Sequence, residues 1–289
     1  MRGMGHSQAR DRPTPSYAGS LLCRRRGGNS VSSVVAPVRL RQVVVISKDL
    51  DEAERRLETD VGLAPGFRDE GVGYFGLENR VLAAGESFVE VLTPLDEDSA
   101  GHRFLERRGS DSGYMAIFQF RDREQPRRRA VGLGMRIAWQ ADLDDISGTH
   151  LDPRDVTGAI VSLDWADPPE SWHWAGPSWR GDEAIVNAAS SRGYGITSLE
   201  VAVEDPPASA AIWASVLGPD ADLKGSRVTL ADAGQLITFV QRRPPEHDGI
   251  VSCGLALPPE EGRPPASSVE IAGVLFSVVR APAATEEEL

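Results

Sequence analysis

Cysteine is nearly missing from this sequence: 289 residues contain two, Cys23 and Cys253. That excludes a disulfide framework and any CxxC metal knuckle. No apolar run approaches the roughly 18–20 residues of a membrane-spanning helix, so no membrane partner is expected. A glycine-rich phosphate loop is also absent, because GVGYFG at 71–76 lacks the strand-into-helix setting such a loop requires. There is no GxSxG nucleophile elbow. Positive charge is scarce too. Asp and Glu number 43 against 31 Lys and Arg, a net charge of −12. The imbalance is steeper beyond residue 41, since residues 1–41 hold eight arginines and one acid. A body this acidic repels a phosphate backbone, which argues against nucleic acid as a partner. With 40% apolar and 26% charged residues the chain is globular rather than disordered throughout, and the compartment it suggests is cytoplasmic.

What is present is a repeat between two plain ends. Residues 1–36, rich in Gly, Ser, Pro and Arg, read as a disordered leader or as a start codon placed too early. Residues 281–289 read as a frayed acidic tail. In between, LRQVVVIS at 40–47 is a buried strand by its β-branched run. Asp49 then starts a helix, with Glu52 placed for a capping box. Leu50, Ala53, Leu57 and Val61 form its apolar face, and Gly62 is the stop. Strands at 81–84 and 87–93 follow, joined at Gly85. The same order returns later: a strand at 196–203, then Asp205 and Pro206 as a helix start. Ala208, Ile212 and Val216 are expected on its buried face, with Gly218 as its end and strands at 228–230 and 236–241 after it. A third unit places strands at 113–120, 135–140 and 158–164, with a short Arg-rich helix within 124–131. A fourth, at 249–257 and 269–279, holds Pro258, Pro259, Pro264 and Pro265, so its helix is short or missing. The segment WADPPESWHWAGPSW, 165–179, divides the units two and two and reads as a linker that packs.

Four βαβββ units in two pairs resemble the vicinal oxygen chelate superfamily, the glyoxalase, extradiol dioxygenase and bleomycin-resistance group. The resemblance is carried by LRQVVVISKDLDEAERRL at 40–57, ESFVEVLTP at 86–94, FLERRGSDSGYMAIFQF at 104–120 and DPRDVTGAIVSLD at 152–164. It implies an α+β fold of tandem βαβββ modules forming two glyoxalase-like half-barrel domains, at 37–164 and, in degenerate form, at 191–280, with 165–190 between them. It also implies a cleft whose metal positions fall on Gln42, Glu90, Met115 and Ser162. Only Gln42 and Glu90 suit a divalent ion such as Mn, Fe, Ni or Zn, since methionine sulfur and a serine hydroxyl are poor partners for those metals. Asp164 shares the strand face of Ser162. The equivalent positions of the second pair, near Ser198, Thr238, Val251 and Ser277, carry no good ligand.

Glu90 is the sharpest candidate. It interrupts an apolar strand with Phe88 and Leu92 on its own face. A carboxylate there is costly unless paired, and in a desolvated cleft it becomes a general base; on a wet face it is only a surface residue. Gln42 either orients a substrate oxygen or metal, or satisfies a buried backbone group. Gln119, on the same face as Met115, and Tyr114 are candidate wall residues for a substrate, together with Ser162. His150 and Asp152 lie in a Gly-, Pro- and Asp-rich stretch, 147–156, that reads as a turn, or else reach over the cleft rim. Trp172, His173, Trp174 and Trp179 either cover the joint or wall an aromatic ligand, with Tyr74 and Phe75 beside them. Two functions follow from the resemblance. One is a lyase, isomerase or dioxygenase acting on a small oxygenated organic molecule. The other is a non-catalytic protein that sequesters such a ligand, as the bleomycin-resistance proteins do. Four units in one chain allow a monomer or a homodimer.

Overall fold

The β-branched run of the first unit forms β1 (Val38–Ile46), buried along nearly its whole length. Alternation sends Val43 and Val45 to one face and Gln42, Val44 and Ile46 to the other. The Asp49 carboxylate then accepts the Glu52 N–H at 3.0 Å and starts α1 (Leu50–Arg56). Glu52 does not close the reciprocal box, because its carboxylate takes the Arg55 guanidinium at 2.6 and 2.8 Å. The helix runs on as a π-turn to Val61 and stops at Gly62, φ 87°, the left-handed stop that favours glycine. All four expected face residues of this helix are buried.

The computed structural model describes residues 36–169, 194–243 and 246–280. The leader, the tail, and Trp172, His173, Trp174 and Trp179 of the joint lie outside the described residues. After α1 come β2 (Leu77–Ala84), β3 (Ser87–Pro94), α2 (Ala100–Arg108), β4 (Ser112–Phe120), α3 (Glu124–Gly132), β5 (Ile137–Asp142), β6 (Ile146–Leu151) and β7 (Ile160–Ala166). They build one seven-stranded sheet in the order β2-β3-β1-β4-β7-β6-β5. The second half is β8 (Gly195–Val203), α4 (Pro206–Leu217), β9 (Asp222–Lys224), β10 (Arg227–Leu230), β11 (Gln235–Gln241), β12 (Gly249–Leu257), β13 (Ala266–Ile271) and β14 (Val274–Arg280). Its sheet order is β13-β14-β12-β8-β11-β10-β9.

Both sheets follow one plan. Two units join through their first strands, which run antiparallel: β1 with β4 and β8 with β12. Within each unit the first strand pairs in parallel with the last. This is the α+β tandem architecture that the repeat implied. The first unit is short by a strand, and a lone bridge, Phe67 to Val81, takes its place. Among the described residues the fourth unit has no helix, as its prolines suggested.

Two local expectations need correction, and one helix was not foreseen. The stretch 147–156 is not all turn: Ile146–Leu151 is strand β6, and the turn begins at Asp152. The loop before β4 holds a further helix, α2, capped by Ser99. On α4 the buried face is Ala210, Trp213, Ala214 and Leu217 together with Val216, whereas Ala208 is exposed and Ile212 half-buried. The Trp213 indole packs edge-on against Phe118 and Phe239 and donates to the Thr157 carbonyl at 3.0 Å.

One face of each sheet, with α1 and α4, contributes to a single apolar core. Polar pegs cross it. The Gln235 amide donates to the Leu40 and Ile196 carbonyls at 2.8 and 2.9 Å and accepts the Leu40 N–H at 2.7 Å. Arginines cap helices across the same boundary. Arg129 donates to the Val216 and Leu217 carbonyls at the end of α4, at 3.0 and 2.7 Å. Arg280 and Arg263, from the second half, donate to the Val61, Thr59 and Glu58 carbonyls where α1 ends. These are the carbonyls a helix leaves unpaired at its C-terminus.

Candidate functional site

The face of the first sheet turned away from the second carries a separate apolar cluster: Val44, Ile46, Val81, Phe88, Leu92, Met115 and Ile117. Phe67, Val72 and Phe75 from the loop before β2, and Phe104 and Leu105 of α2, pack over it. Glu90 points into this face from β3 and is 6% exposed. Two neutral amides hold its carboxyl: Gln42 Nε2 donates to one oxygen and Asn79 Nδ2 to the other, each at 2.6 Å. The Asn79 amide is oriented by its far side, where Oδ1 accepts the Asp69 N–H at 2.9 Å. Burial pushes the Glu90 pKa up to about 7, and nearby Asp69 adds to the rise while the two amides oppose it. A carboxyl that half-titrates near neutrality is matched to proton transfer.

A second pole lies across the sheet. Asp164, on β7, accepts the Ser162 hydroxyl, and its pKa is likewise pushed up by burial to about 7, with Arg127 acting against the rise. Arg127 reaches Thr149 Oγ1 at 2.7 Å and Asp142 at 2.6 Å. Gly148 faces this corner, and a Cβ there would lie 3.1 Å from Trp139 and 3.5 Å from Asp164. A side chain there would crowd the Trp139 ring, which a bare backbone avoids. His150 lies in the same corner, tilted against Trp139 at 4.5 Å and stacked on Phe75 at 6.2 Å by ring centroids. Burial lowers its pKa to about 4, so the ring is neutral at pH 7.

The structure thus gathers Gln42, Glu90, Met115 and Ser162 on one face, with His150 at its edge. Tyr114 is buried against Phe104, ring centroids 4.9 Å apart, and burial raises its hydroxyl pKa. Gln119 is buried in a cluster with Arg39 and Arg41. Asp152 stands elsewhere. It is spent on the turn after β6, accepting the Arg154 backbone N–H at 3.0 Å and its guanidinium at 2.9 Å, and these bonds hold its pKa well below the carboxylate range. Sequence reasoning passed over Asn79, Trp139 and Arg41. Asn79 had a readable signal, a polar residue between Leu77 and Val81 on a strand edge. Arg41 had none, since strict alternation sends it to the opposite face from Gln42.

The model of the glyoxalase-like domain family matches residues 43–217, more than half of the chain. The chain belongs to this glyoxalase-like domain family. The match begins within β1, runs through the rest of the first sheet and ends with α4. No curated protein matches this glyoxalase-like chain in sequence. Among solved structures, a hypothetical protein from Staphylococcus aureus superposes with a TM-score of 0.57, covering 84% of this chain and 100% of its own at 9% identity. A Streptomyces coelicolor methylmalonyl-CoA epimerase variant in complex with 2-nitronate-propionyl-CoA matches 46% of this chain and 97% of its own, at 21% identity and a TM-score of 0.41. The Mycobacterium tuberculosis methylmalonyl-CoA epimerase matches 47% and 93%, at 20% identity and a TM-score of 0.41. Among the described residues no helix is long and apolar enough to cross a membrane.

The divalent metal expected from the family does not suit these donors. Gln42 turns its NH2 end, not its oxygen, to Glu90, and Asn79 occupies the other carboxyl oxygen. Met115 and Ser162 stand where further ligands would be needed. Among the described residues no three His, Cys, Asp or Glu side chains are grouped to hold an ion. A catalytic ion needs about three protein ligands.

Proposed function

We propose that this chain binds a small oxygenated organic molecule on the site face of its first sheet and that Glu90 exchanges a proton with it, in a lyase or isomerase type of reaction. The observation that carries the reading is the Glu90 carboxyl itself: enclosed among Phe88, Leu92 and Met115, held by amides, and poised near pH 7. Desolvation strengthens it as a base, because its ionised form lacks the water that would stabilise it. The Gln42 and Asn79 amides fix its orientation while adding no charge. As the base gains a proton, negative charge builds on the ligand oxygens, and the same amides are the nearest donors to share between carboxyl and ligand. Sequestration without turnover is the second reading, favoured by Met115 and Ser162 where charged groups would assist a reaction.

Hydrogen–deuterium exchange separates the two. Full-length protein incubated in D2O with pyruvate or lactate is followed by proton NMR for loss of the substrate C–H signal. Enzyme-dependent exchange that Glu90→Gln abolishes supports proton transfer. Tight binding by both proteins without exchange supports sequestration.

A further inference from the structure

We propose that Phe75, Trp139, His150 and Asp164 form a subsite for an aromatic ring bearing a hydroxyl group, at the end of the site face away from Glu90. The subsite rests on the reading of the Glu90 face as a ligand site, and it fixes what the far end of that ligand carries. One register row crosses the face. Trp139 pairs with His150, His150 with Ser162, Ser162 with Ile117, Ile117 with Gln42 and Gln42 with Phe88, and direct cross-strand partners share a face. Gln42 bonds Glu90 at the near end of the row, and the aromatic corner is the far end. Phe75 spans the two. It packs over the apolar cluster that includes Phe88, and its ring lies 5.3 Å from Trp139 and 6.2 Å from His150. From His150 to Gln42 is three strand steps, about 14 Å along the sheet. The ring and the carbon that meets Glu90 therefore belong to opposite ends of one molecule, an aryl group on a chain of several atoms.

Two features set this corner apart from ordinary core. Its rings stay within reach of solvent. Phe75, Trp139, His150 and Gly148 are half-buried, and Tyr74, edge-on to Phe75 at 5.1 Å, is 47% exposed. Its polar atoms are also unspent. The His150 ring touches Trp139 and Phe75, and neither of its nitrogens has a hydrogen-bond partner among the described residues. Asp164 Oδ1 takes the Ser162 hydroxyl and, at 3.4 Å, the Thr149 N–H. Oδ2 has no hydrogen-bond partner among the described residues and lies beside Gly148, 3.5 Å from where a Cβ would stand. A few unpaired polar atoms among aromatic side chains are the usual make-up of a small-molecule site. A neutral imidazole offers one N–H and one bare nitrogen, and a carboxyl oxygen accepts. A hydroxyl both donates and accepts, so one hydroxyl on a ring can take the imidazole N–H and give its own proton to Oδ2. An ammonium group suits the corner less, because Asp164 already feels the positive charge of Arg127 and an imidazole N–H repels a cation. A ring set against Phe75 and Trp139 gains face-to-edge contacts that an aliphatic group lacks.

The test is a saturation-transfer NMR titration of the full chain with phenol, anisole and cyclohexanol. Phenol has the ring and the hydroxyl, anisole the ring with no O–H to donate, and cyclohexanol the hydroxyl with no aromatic ring. The wild-type protein should bind phenol about three- to tenfold more tightly than either control. Trp139→Leu, at a half-exposed position, should bring phenol level with cyclohexanol. His150→Phe, which keeps a ring in the stack and removes both nitrogens, should bring phenol level with anisole. Should either variant fail to unfold cooperatively, the other decides. Equal affinity for the three compounds, no phenol binding at about 10 mM, or a phenol preference that survives both substitutions would overturn the subsite. Glu90→Gln should leave the phenol preference intact. Glu90-dependent C–H exchange in a protein with no phenol preference would sink the subsite alone, and a phenol preference without such exchange would sink the base alone.

Discussion

Replacing Glu90 with glutamine tests the buried carboxyl without any ligand. A carboxyl whose pKa rises on folding, from 4.5 to about 7, favours the folded state fully below the lower value and loses that contribution as pH climbs through the upper one. Each pH unit in that window is worth about 1.4 kcal/mol, so the wild-type protein gives up about 3 kcal/mol of this contribution between acid and mild alkali. Glutamine has the same shape and never ionises. It meets the Gln42 and Asn79 amides with only one acceptor oxygen, and a rearranged hydrogen bond costs about 1 kcal/mol at every pH. The variant should therefore be slightly the less stable protein at about pH 5 and the more stable one by about 2 kcal/mol at about pH 8.5. Urea unfolding of both proteins across that range measures the crossing. Asp164, displaced the same way by burial, contributes to each protein and drops out of the difference. A difference that stays flat with pH would mean that Glu90 titrates as an ordinary surface acid, and the site as described would fail.

Two further outcomes check the surroundings. Gln235→Leu removes both partners of Leu40 and one of Ile196, and should lower stability by about 2–4 kcal/mol in urea unfolding; a loss under about 0.5 kcal/mol would show that water or backbone relaxation replaces the peg. His150, whose pKa burial holds near 4, should show no NMR titration between about pH 5.5 and 8. Because its folded value lies below the ordinary one, its share of stability is present above pH 6.5 and is lost as pH falls towards 4; a midpoint near 6.5 would place the ring in water.

The ladder of units was legible because each begins with a strong local signal. Asp49 and Asp205 both cap as expected, accepting N–H groups at 3.0 Å, and Gly62 and Gly218 both end their helices. Glu90 was legible for a different reason: one carboxylate between Phe88 and Leu92 breaks an otherwise regular pattern. Where alternation or periodicity weakens, the reading weakens with it. α4 is apolar on every side, so nothing in its spacing marks Trp213 as the residue that faces inward. β6 is made of Ile, Ser, Gly, Thr, His and Leu, a composition typical of turns, and it is a strand because β5 and β7 pair with it. Arg41 defeats alternation altogether, since a bulge shifts the phase by one residue and no local residue type announces it. The partner of the neighbouring Leu40, Gln235, is far along the chain, and such a pairing is visible only once the sheets are packed.

The exchange of arginines between the halves has a consequence for heredity. α1 ends on Arg263 and Arg280, and α4 ends on Arg129, so each half finishes a helix that the other encodes. A recombination event that transplanted either half alone would strand bare carbonyls and a greasy sheet surface in solvent. Descendants of this gene should inherit the two halves as one indivisible cassette.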